Sequence, residues 1–244
     1  MNSSHDAYGM EIYAHYRGSR IPEVVERDDG LIDPYCDGSS PYFAEYRDWP
    51  AYEKAAIKLA SGRVLDIGSG AGRVELYLQS IGIDVTGIDV SPLALKVCRL
   101  RGAKRVMRRS ITEVGKFAPD SFDAVVMFGN NFGLFGSPRL AKKLLKDMHR
   151  ITSGKAVILA ESNDPYKTDN PVHLRYHSLN RRRGRMPGQL RIRVRFEDCI
   201  GDWFDYLIVS KREMSRIVAG TGWRIKRFID RRGGSMYIGV LVKA

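Results

Sequence analysis

Three glycines at alternate positions follow a short apolar run in the stretch VLDIGSGAGR, residues 64–73. Gly68, Gly70 and Gly72 would allow a sharp reversal from strand into helix and a close approach of a ligand to the backbone. Dinucleotide sites use the spacing GxGxxG, whose third glycine lets the helix lie against the strand. Arg73 stands at that third position here. The spacing, with Asp66 two residues before the first glycine, therefore favours an adenosyl ligand without a pyrophosphate.

A second apolar segment, VTGIDVSPLAL at residues 85–95, brings an acid to the end of the next predicted strand. Asp89 could accept hydrogen bonds from both hydroxyls of a ribose. Dinucleotide enzymes carry an acid at the same place, and a turn acid beside a helix is the other interpretation, so Asp89 alone does not discriminate. The two segments together resemble the first and second motifs of the class I S-adenosylmethionine-dependent methyltransferases.

The resemblance implies a fold and a cofactor. The fold class would be α/β, a Rossmann-like three-layer α/β/α sandwich with a seven-stranded, mostly parallel sheet of order 3-2-1-4-5-7-6. Residues 1–50 would form an N-terminal helical cover and residues 51–244 the methyltransferase domain, with an inserted antiparallel β-ribbon within about 162–209. The cofactor would be S-adenosylmethionine and the product S-adenosylhomocysteine.

The sequence pattern agrees with that fold. Apolar runs at 63–68, 83–89, 122–128 and 156–161, and a short, very basic strand near 104–109, alternate with helical segments, as in a parallel sheet built from βαβ units. Residues 162–188 are polar and predict mostly loop. Apolar and charged residues alternate over 189–199, which predicts a half-exposed strand with 203–209 as its antiparallel partner. The motif SKRE at 210–213 predicts a capped helix, and a hairpin turn follows at 231–234.

The resemblance also assigns residues to the cofactor. Many family members carry an acid after the third strand, where this chain has Ser110 and Ile111. Ser110 could contact the adenine, or it could simply cap the turn. The positions assigned to the cofactor are Asp66, Gly68, Ser69, Gly70, Gly72, Arg73, Asp89, Val90, Ser91, Ser110, Ile111, Gly129 and Asn130.

The stretch FGNNFGLFG, residues 128–136, ends the fourth strand, where ligands of open α/β sheets bind. We expect Gly129 and Asn130 to contact the methionine part of the cofactor, with Asn131 and Phe132 facing the acceptor. The alternative is that Phe132 and Phe135 form an aromatic plug under the next helix. The proline pair of the amino methyltransferases that act on nucleobases is missing, which argues against that chemistry.

A general base is needed only if the acceptor must lose a proton. The catalytic candidates are Asn131 and, after the fifth strand, Glu161, Asp164 and Tyr166. His173 and His177 have the spacing of ligands on one helix face, but no third ligand is evident and Pro171 argues against a regular helix there, so no metal is predicted. Tyr13, Tyr16, Tyr42 and Tyr46 belong to a tyrosine-rich N-terminal segment that could cover the cofactor or could simply pack against the edge of the sheet.

The net charge of +12 lies mostly after residue 150 and includes seven arginines within 181–195. These arginines could bind RNA, or they could be the solvated face of a strand and loop. The leading hypothesis is methyl transfer to an N or O atom of a small-molecule acceptor, which the basic surface would allow to be anionic. The alternatives are an RNA methyltransferase and a non-catalytic S-adenosylmethionine-binding protein.

The sequence has no apolar run long enough to cross a bilayer, no basic-then-apolar leader and three widely spaced cysteines. We therefore expect a cytoplasmic protein that does not contact a membrane. The sequence does not predict an oligomeric state.

Overall fold

The structure is a computed structural model that describes residues 5–33 and 38–244. Short 3₁₀ turns at Tyr46–Asp48, Ile111–Lys116 and Asn131–Phe135 join some of its helices and strands. In chain order the helices and strands are α1 (Ala7–Tyr16), β1 (Val24–Arg27), β2 (Ile32–Asp33), α2 (Ser40–Phe43), α3 (Ala51–Ile57), β3 (Arg63–Ile67), α4 (Arg73–Ser80), β4 (Asp84–Asp89), α5 (Pro92–Leu100), β5 (Val106–Arg108), β6 (Phe122–Met127), α6 (Pro138–Ile151), β7 (Thr152–Asn163), α7 (Pro171–Arg182), β8 (Gln189–Phe196), β9 (Cys199–Ile200), β10 (Phe204–Leu207), α8 (Lys211–Val218), β11 (Trp223–Asp230) and β12 (Met236–Lys243).

Seven strands form the main sheet in the order β11-β12-β7-β6-β3-β4-β5. Strands β3 to β7 pair in parallel, whereas β12 is antiparallel to both β7 and β11. The central strands are almost entirely buried, as expected for a parallel sheet covered on both faces. The predicted fold class and the strand order 3-2-1-4-5-7-6 are confirmed.

The helix starts follow the local signals in the sequence. The Ser91 hydroxyl accepts from the Ala94 amide at 3.0 Å, with Pro92 at the first helical position of α5. At α8, Ser210 and Glu213 form a complete capping box. Each cap satisfies backbone amides that the first turn of a helix leaves without a partner.

The prediction of mostly loop between 162 and 188 is wrong over Pro171–Arg182, which form α7. Asn170 caps this helix by accepting from the Val172 amide at 2.9 Å. The helix buries Tyr176 and His177, so tertiary contacts stabilise a segment whose polarity alone suggested loop. Within the described residues, no group of three His, Cys, Asp or Glu side chains is arranged to hold a metal ion.

A second sheet has the order β10-β8-β1-β2, with β9 added to β8. We call it the cover sheet. The predicted antiparallel pairing of 189–199 with 203–209 is confirmed as β8 and β10. The pairing of β1 with β8 was not predicted, and it joins the N-terminal segment and the insertion in one sheet.

The two faces of the cover sheet differ in composition. Val25 lies opposite Val194 on one face, and Glu26 lies opposite Arg193 on the other. We call these the inner and outer faces. In the part of the chain that the structure describes, no helix is both long and apolar enough to span a membrane.

Candidate cofactor and acceptor site

The glycine loop after β3 has the backbone that its sequence predicts. Gly68, Gly70 and Gly72 have φ angles of +81°, +55° and +81°, which L side chains rarely adopt. Neighbouring groups also exclude a side chain there. A Cβ on Gly68 would collide with the amide of Asn131, and a Cβ on Gly70 would lie 3.1 Å from the Tyr8 hydroxyl.

Asp89 ends β4 beside this loop. Its Oδ2 accepts from the Gly70 amide at 3.0 Å and its Oδ1 from the Ser91 amide at 2.9 Å. Burial raises the pKa of Asp89, and these backbone hydrogen bonds oppose the increase. Each carboxylate oxygen can accept more than one hydrogen bond, so the group can still receive two ribose hydroxyls. The neighbouring Val90 is 39% exposed and offers an apolar surface to an adenine ring.

Asp66 and Glu75 lie together beneath the glycine loop, and both side chains are buried. Burial is the main cause that raises the pKa of each, and the charge of Glu75 raises that of Asp66 further. The pKa of Glu75 rises to about 7. Two carboxyl groups so close cannot both ionise at low cost. Asp66 therefore belongs to a buried pair that supports the loop from below.

Several predicted cofactor residues already have side-chain partners. Arg73 pairs with Glu53 at 2.6 Å, and its guanidinium lies 4.6 Å from the centre of the Trp49 ring. Ser69 donates to the Ile88 carbonyl at 3.4 Å. The cofactor contacts predicted for Arg73 and Ser69 stay predictions, and the structure favours their backbones for that role.

The hydroxyl groups of Ser91 and Ser110 also have hydrogen-bond partners within the protein. The Ser91 hydroxyl donates to Asp6 at 2.8 Å. Ser110 accepts from the Thr112 amide at 3.2 Å and forms a capping box with Glu113. Ser110 therefore caps this turn, and Ile111 beside it is buried. The cofactor contacts predicted for both residues stay predictions.

Glu161 at the end of β7 holds the end of β6. Its Oε2 accepts from the Gly129 amide at 2.6 Å and its Oε1 from the Tyr52 hydroxyl at 2.5 Å. The side chain is buried, and burial raises its pKa to about 7 against the lowering effect of the Tyr52 hydrogen bond. Because both oxygens have partners inside the protein, the geometry favours a positioning role over that of a general base.

The side chains of Asn130 and Asn131, after β6, form hydrogen bonds with neighbouring loops. Asn130 has a φ of +64°, and its side chain accepts from the Asn163 amide at 2.9 Å. Asn131 donates to the carbonyls of Ile67 and Gly68 at 2.8 and 3.2 Å. The side chain of Asn131 therefore braces the glycine loop.

The aromatic residues that follow are core residues. Phe132 and Phe135 are fully buried, with ring centres 5.0 Å apart. The expectation that Phe132 faces the acceptor is wrong, and the alternative of an aromatic plug is correct. Both rings belong to the cluster between the sheet and α6.

The remaining catalytic candidates lie against α8. Asp164 accepts from the Tyr166 amide at 3.0 Å, and the Tyr166 hydroxyl donates to Glu213 at 2.6 Å. Tyr166 is half-exposed. These contacts give both residues a local structural role, and a catalytic role for either stays a prediction.

The N-terminal segment contacts the glycine loop through Tyr8 and Tyr42, and its role as a cover of the cofactor stays a prediction. Asp6 docks α1 on the start of α5 by accepting from the Ser91 hydroxyl and from the Leu93 amide at 3.3 Å. Tyr8 and Tyr42 then meet edge to face above Gly70, with ring centres 5.6 Å apart. Of the four predicted tyrosines only Tyr42 lies here.

The other three predicted tyrosines contact different parts of the surface. Tyr46 stacks on Tyr77 at 4.0 Å, and Lys96 lies 4.5 Å from the Tyr13 ring. Tyr16 is 40% exposed. The predicted covering role is therefore wrong for Tyr46, which lies against α4.

Tyr206 on β10 connects the cover sheet to the cofactor edge. Its hydroxyl donates to the Asn130 carbonyl at 2.6 Å, and its ring lies so close to Gly133 that a Cβ there would overlap it. Sequence reasoning missed Tyr206 and Tyr8. The alternation around β8 and β10 was the available signal, since it put Tyr206 on an apolar face without showing what that face covers.

The arginines of β8 lie on the outer face of the cover sheet among acids. Arg193 forms two hydrogen bonds with Glu26, at 2.8 and 3.0 Å, and Arg195 approaches the same carboxylate at 3.4 Å. Arg191 pairs with Asp205 at 3.1 Å. This face is therefore partly neutralised, as expected for the solvated face of a strand.

Comparison with known proteins agrees with this geometry. Residues 64–154 match the family model described as a methyltransferase domain. A SAM-dependent methyltransferase from Bacteroides fragilis, crystallised with S-adenosyl-L-homocysteine, is 25% identical with a TM-score of 0.84. That likeness covers 100% of this chain and 97% of the other.

Proteins with named acceptors are more distant. The 1,6-didemethyltoxoflavin-N1-methyltransferase of Burkholderia thailandensis shares the fold, with 15% identity and a TM-score of 0.53 over 82% of this chain and 80% of that one. The ubiquinone biosynthesis O-methyltransferase of Xanthomonas oryzae pv. oryzae is 35% identical over 79 residues. Those residues are 30% of this chain and span 33% of the length of that relative.

The residues at the carboxyl edge of the sheet fit an adenosyl cofactor. The glycine loop excludes side chains, Asp89 offers carboxylate oxygens, and Val90 offers an exposed apolar surface. The Bacteroides fragilis enzyme is a SAM-dependent methyltransferase, and its structure holds S-adenosyl-L-homocysteine, which is what remains of S-adenosylmethionine after methyl transfer. Residues 64–154 are thus a methyltransferase domain, and the motifs, the strand order and these likenesses are those of a class I S-adenosylmethionine-dependent methyltransferase.

Proposed function

We propose that this protein transfers a methyl group from S-adenosylmethionine to an N or O atom of a small-molecule acceptor by in-line displacement. The observation that carries the proposal is the closure of the cover sheet over the cofactor edge through Tyr206 and Asn130. A cover held to the loop after β6 suits a small acceptor better than a duplex. The named relatives support this class, because one is an O-methyltransferase of ubiquinone biosynthesis and another an N1-methyltransferase.

The chain's own residues would bind, align and shield the reactants. The cofactor, when bound, supplies a methyl group on a positively charged sulfur. Asp89 would hold the ribose, while Glu161 fixes the Gly129 backbone beside the methionine part. Tyr8 and Tyr42 would exclude water above the glycine loop. Alignment and exclusion of water can together supply most of the acceleration that a displacement reaction needs.

An RNA acceptor is the second candidate from the sequence. The contacts of Arg191, Arg193 and Arg195 argue against it, since Glu26 and Asp205 partly neutralise these cationic groups, which phosphates would need. A non-catalytic binder is the third candidate. The cytoplasmic location and an anionic acceptor stay predictions.

The test is to incubate the purified protein and methyl-labelled S-adenosylmethionine with an extract of the source cells. We expect label in the acid-soluble small-molecule fraction. Label in a precipitate that ribonuclease removes would favour RNA, and cofactor binding without any labelled product would favour the non-catalytic binder. Asp89→Ala should abolish labelling, whereas Asp84→Ala removes an exposed acid on the same strand, paired with Arg105, and should not.

A further inference from the structure

The inner face of the cover sheet looks toward the cofactor edge. Val194 and Leu190 share this face of β8, and Leu190 lies opposite Tyr206, whose hydroxyl reaches the loop after β6. Val25 lies opposite Val194. Glu23 immediately precedes β1, at the end of the strand that carries Val25.

Glu23 is buried without a full set of hydrogen bonds. Its side chain is only 7% exposed, and its Oε2 has no hydrogen-bond partner among the described residues. Native proteins leave few buried polar atoms in this state, and each one needs an explanation such as a missing ligand.

Glu11 on α1 is another buried carboxyl group without a full set of hydrogen bonds. Glu11 is 1% exposed, and its Oε1 accepts from the Ser39 amide at 2.8 Å. Its Oε2 likewise has no partner within the described part of the chain. A Cβ on Gly38 would lie 3.4 Å from Pro22, the residue before Glu23, and 3.7 Å from Glu11 Oε1, so Glu11 lies close to the segment that carries Glu23.

The charge of Glu23 also acts on two aromatic side chains, Tyr8 and Tyr42. Burial is the main cause that raises the pKa of each of these two side chains, and the charge of Glu23 raises both further. The same rings stand above Gly70. Burial first, and then Glu11, raises the pKa of Glu23 itself to about 8. At pH 7 the group is therefore mostly neutral until a cation approaches.

We propose that Glu23, with Glu11 beside it, binds a protonated amine of the methyl acceptor. Carboxyl oxygens accept from the three donors of an ammonium group, and aromatic rings attract the cation over their faces. This inference rests on the proposed function, and it assigns the acceptor to the class of small basic amines instead of the anionic class that the net charge suggested.

The first experiment measures binding of benzylamine and of neutral benzyl alcohol to the protein saturated with S-adenosylhomocysteine, by calorimetry at pH 7. We expect benzylamine to bind at least about tenfold more tightly than benzyl alcohol, and Glu23→Gln to remove that difference. Binding should release a proton in the wild type but not in Glu23→Gln, which titration in two buffers of different ionisation enthalpy detects. Glutamine has the shape of the neutral carboxyl group, so the variant should fold.

Glu26→Gln is the matched control, because Glu26 lies on the same strand but on the outer face with Arg193. Its affinity for benzylamine should equal that of the wild type. Equal benzylamine binding by Glu23→Gln and wild type, or no preference for the amine, would overturn the proposal.

A second experiment uses the natural acceptor without knowing its name. The small molecules of a cell extract are divided by cation exchange before the labelling reaction. A labelled product from the retained pool supports the amine subsite, and a labelled product only from the unretained pool overturns it. If neither pool is labelled although S-adenosylhomocysteine binds, the proposed function fails, and the benzylamine titration still decides whether the amine subsite exists.

Discussion

Removal of the Tyr52 hydroxyl would test the buried hydrogen bonds that connect the ends of β6 and β7. Tyr52→Phe removes the hydroxyl that donates to Glu161 Oε1 at 2.5 Å. The Glu161 side chain is only 1% exposed, so water cannot replace this donor. A hydrogen bond to a charged group contributes about 1.5–3 kcal/mol, and an unpaired buried oxygen costs a similar amount. For a domain of this size, a loss of about 2 kcal/mol lowers Tm by roughly 4–8 °C.

The effect of Tyr52→Phe should depend on pH. The hydroxyl favours the charged form of Glu161, whose pKa in the folded protein is about 7. Without it the pKa rises further, so the loss of stability should be larger at pH 8, where the carboxylate must be charged, than at pH 6. This difference separates a specific hydrogen bond from a general packing defect.

The assay is thermal and urea unfolding of wild type and variant at pH 6 and pH 8. Tyr16→Phe is the control, because Tyr16 is 40% exposed and its hydroxyl can reach solvent. A Tm within about 1 °C of the wild type at pH 8 would refute the hydrogen bond between Tyr52 and Glu161, since loss of a buried bond of this strength must lower Tm by more than that. An equal loss at both pH values would refute the charge of Glu161 as its cause.

Three further predictions concern the cofactor, the cover and pH. Asp89→Ala should weaken binding of S-adenosylhomocysteine at least about 100-fold in calorimetry, because two hydrogen bonds to a carboxylate contribute about 1.5–3 kcal/mol each. Gly133→Ala should lower the free energy of unfolding by about 1–3 kcal/mol, because the methyl group overlaps the Tyr206 ring. Burial raises the pKa of Glu75 to about 7 in the folded protein, above the unfolded value of about 4.3, so the folded state keeps a proton that the unfolded state has lost. Stability should therefore fall as pH rises from about 4.5 to 7, and Glu75→Gln should flatten that slope in urea unfolding.

The main sheet and the glycine loop could be predicted because their signals are local. Each buried strand is a short apolar run, and the φ angles of Gly68 and Gly70 require glycine whatever the rest of the chain does. Asp89 follows from its position at a strand end. Resemblance to a family supplied the strand order, which no single segment contains.

The acceptor side could not be predicted because its residues come from distant segments. Glu23 precedes β1 and Tyr206 lies on β10, and the two segments join one sheet only because both β1 and β10 pair with β8. The sequence of a strand does not show which other strand it will pair with. The roles of Asn131 and Glu161 were uncertain for a related reason. Their residue types suit both catalysis and bracing, and only the positions of their partners distinguish the two.

The pairing of β1 with β8 also has a consequence for the order in which the molecule forms. Val25 and Val194 are far apart in the chain, and the strands β3 to β7 lie between them. The free-energy cost of closing a loop grows with its length, but a folded core between the two ends brings them together first. During synthesis, the parallel strands of the core can therefore assemble before β8 has emerged from the ribosome. The cofactor edge then exists before its cover, and closing the second sheet is a late folding step.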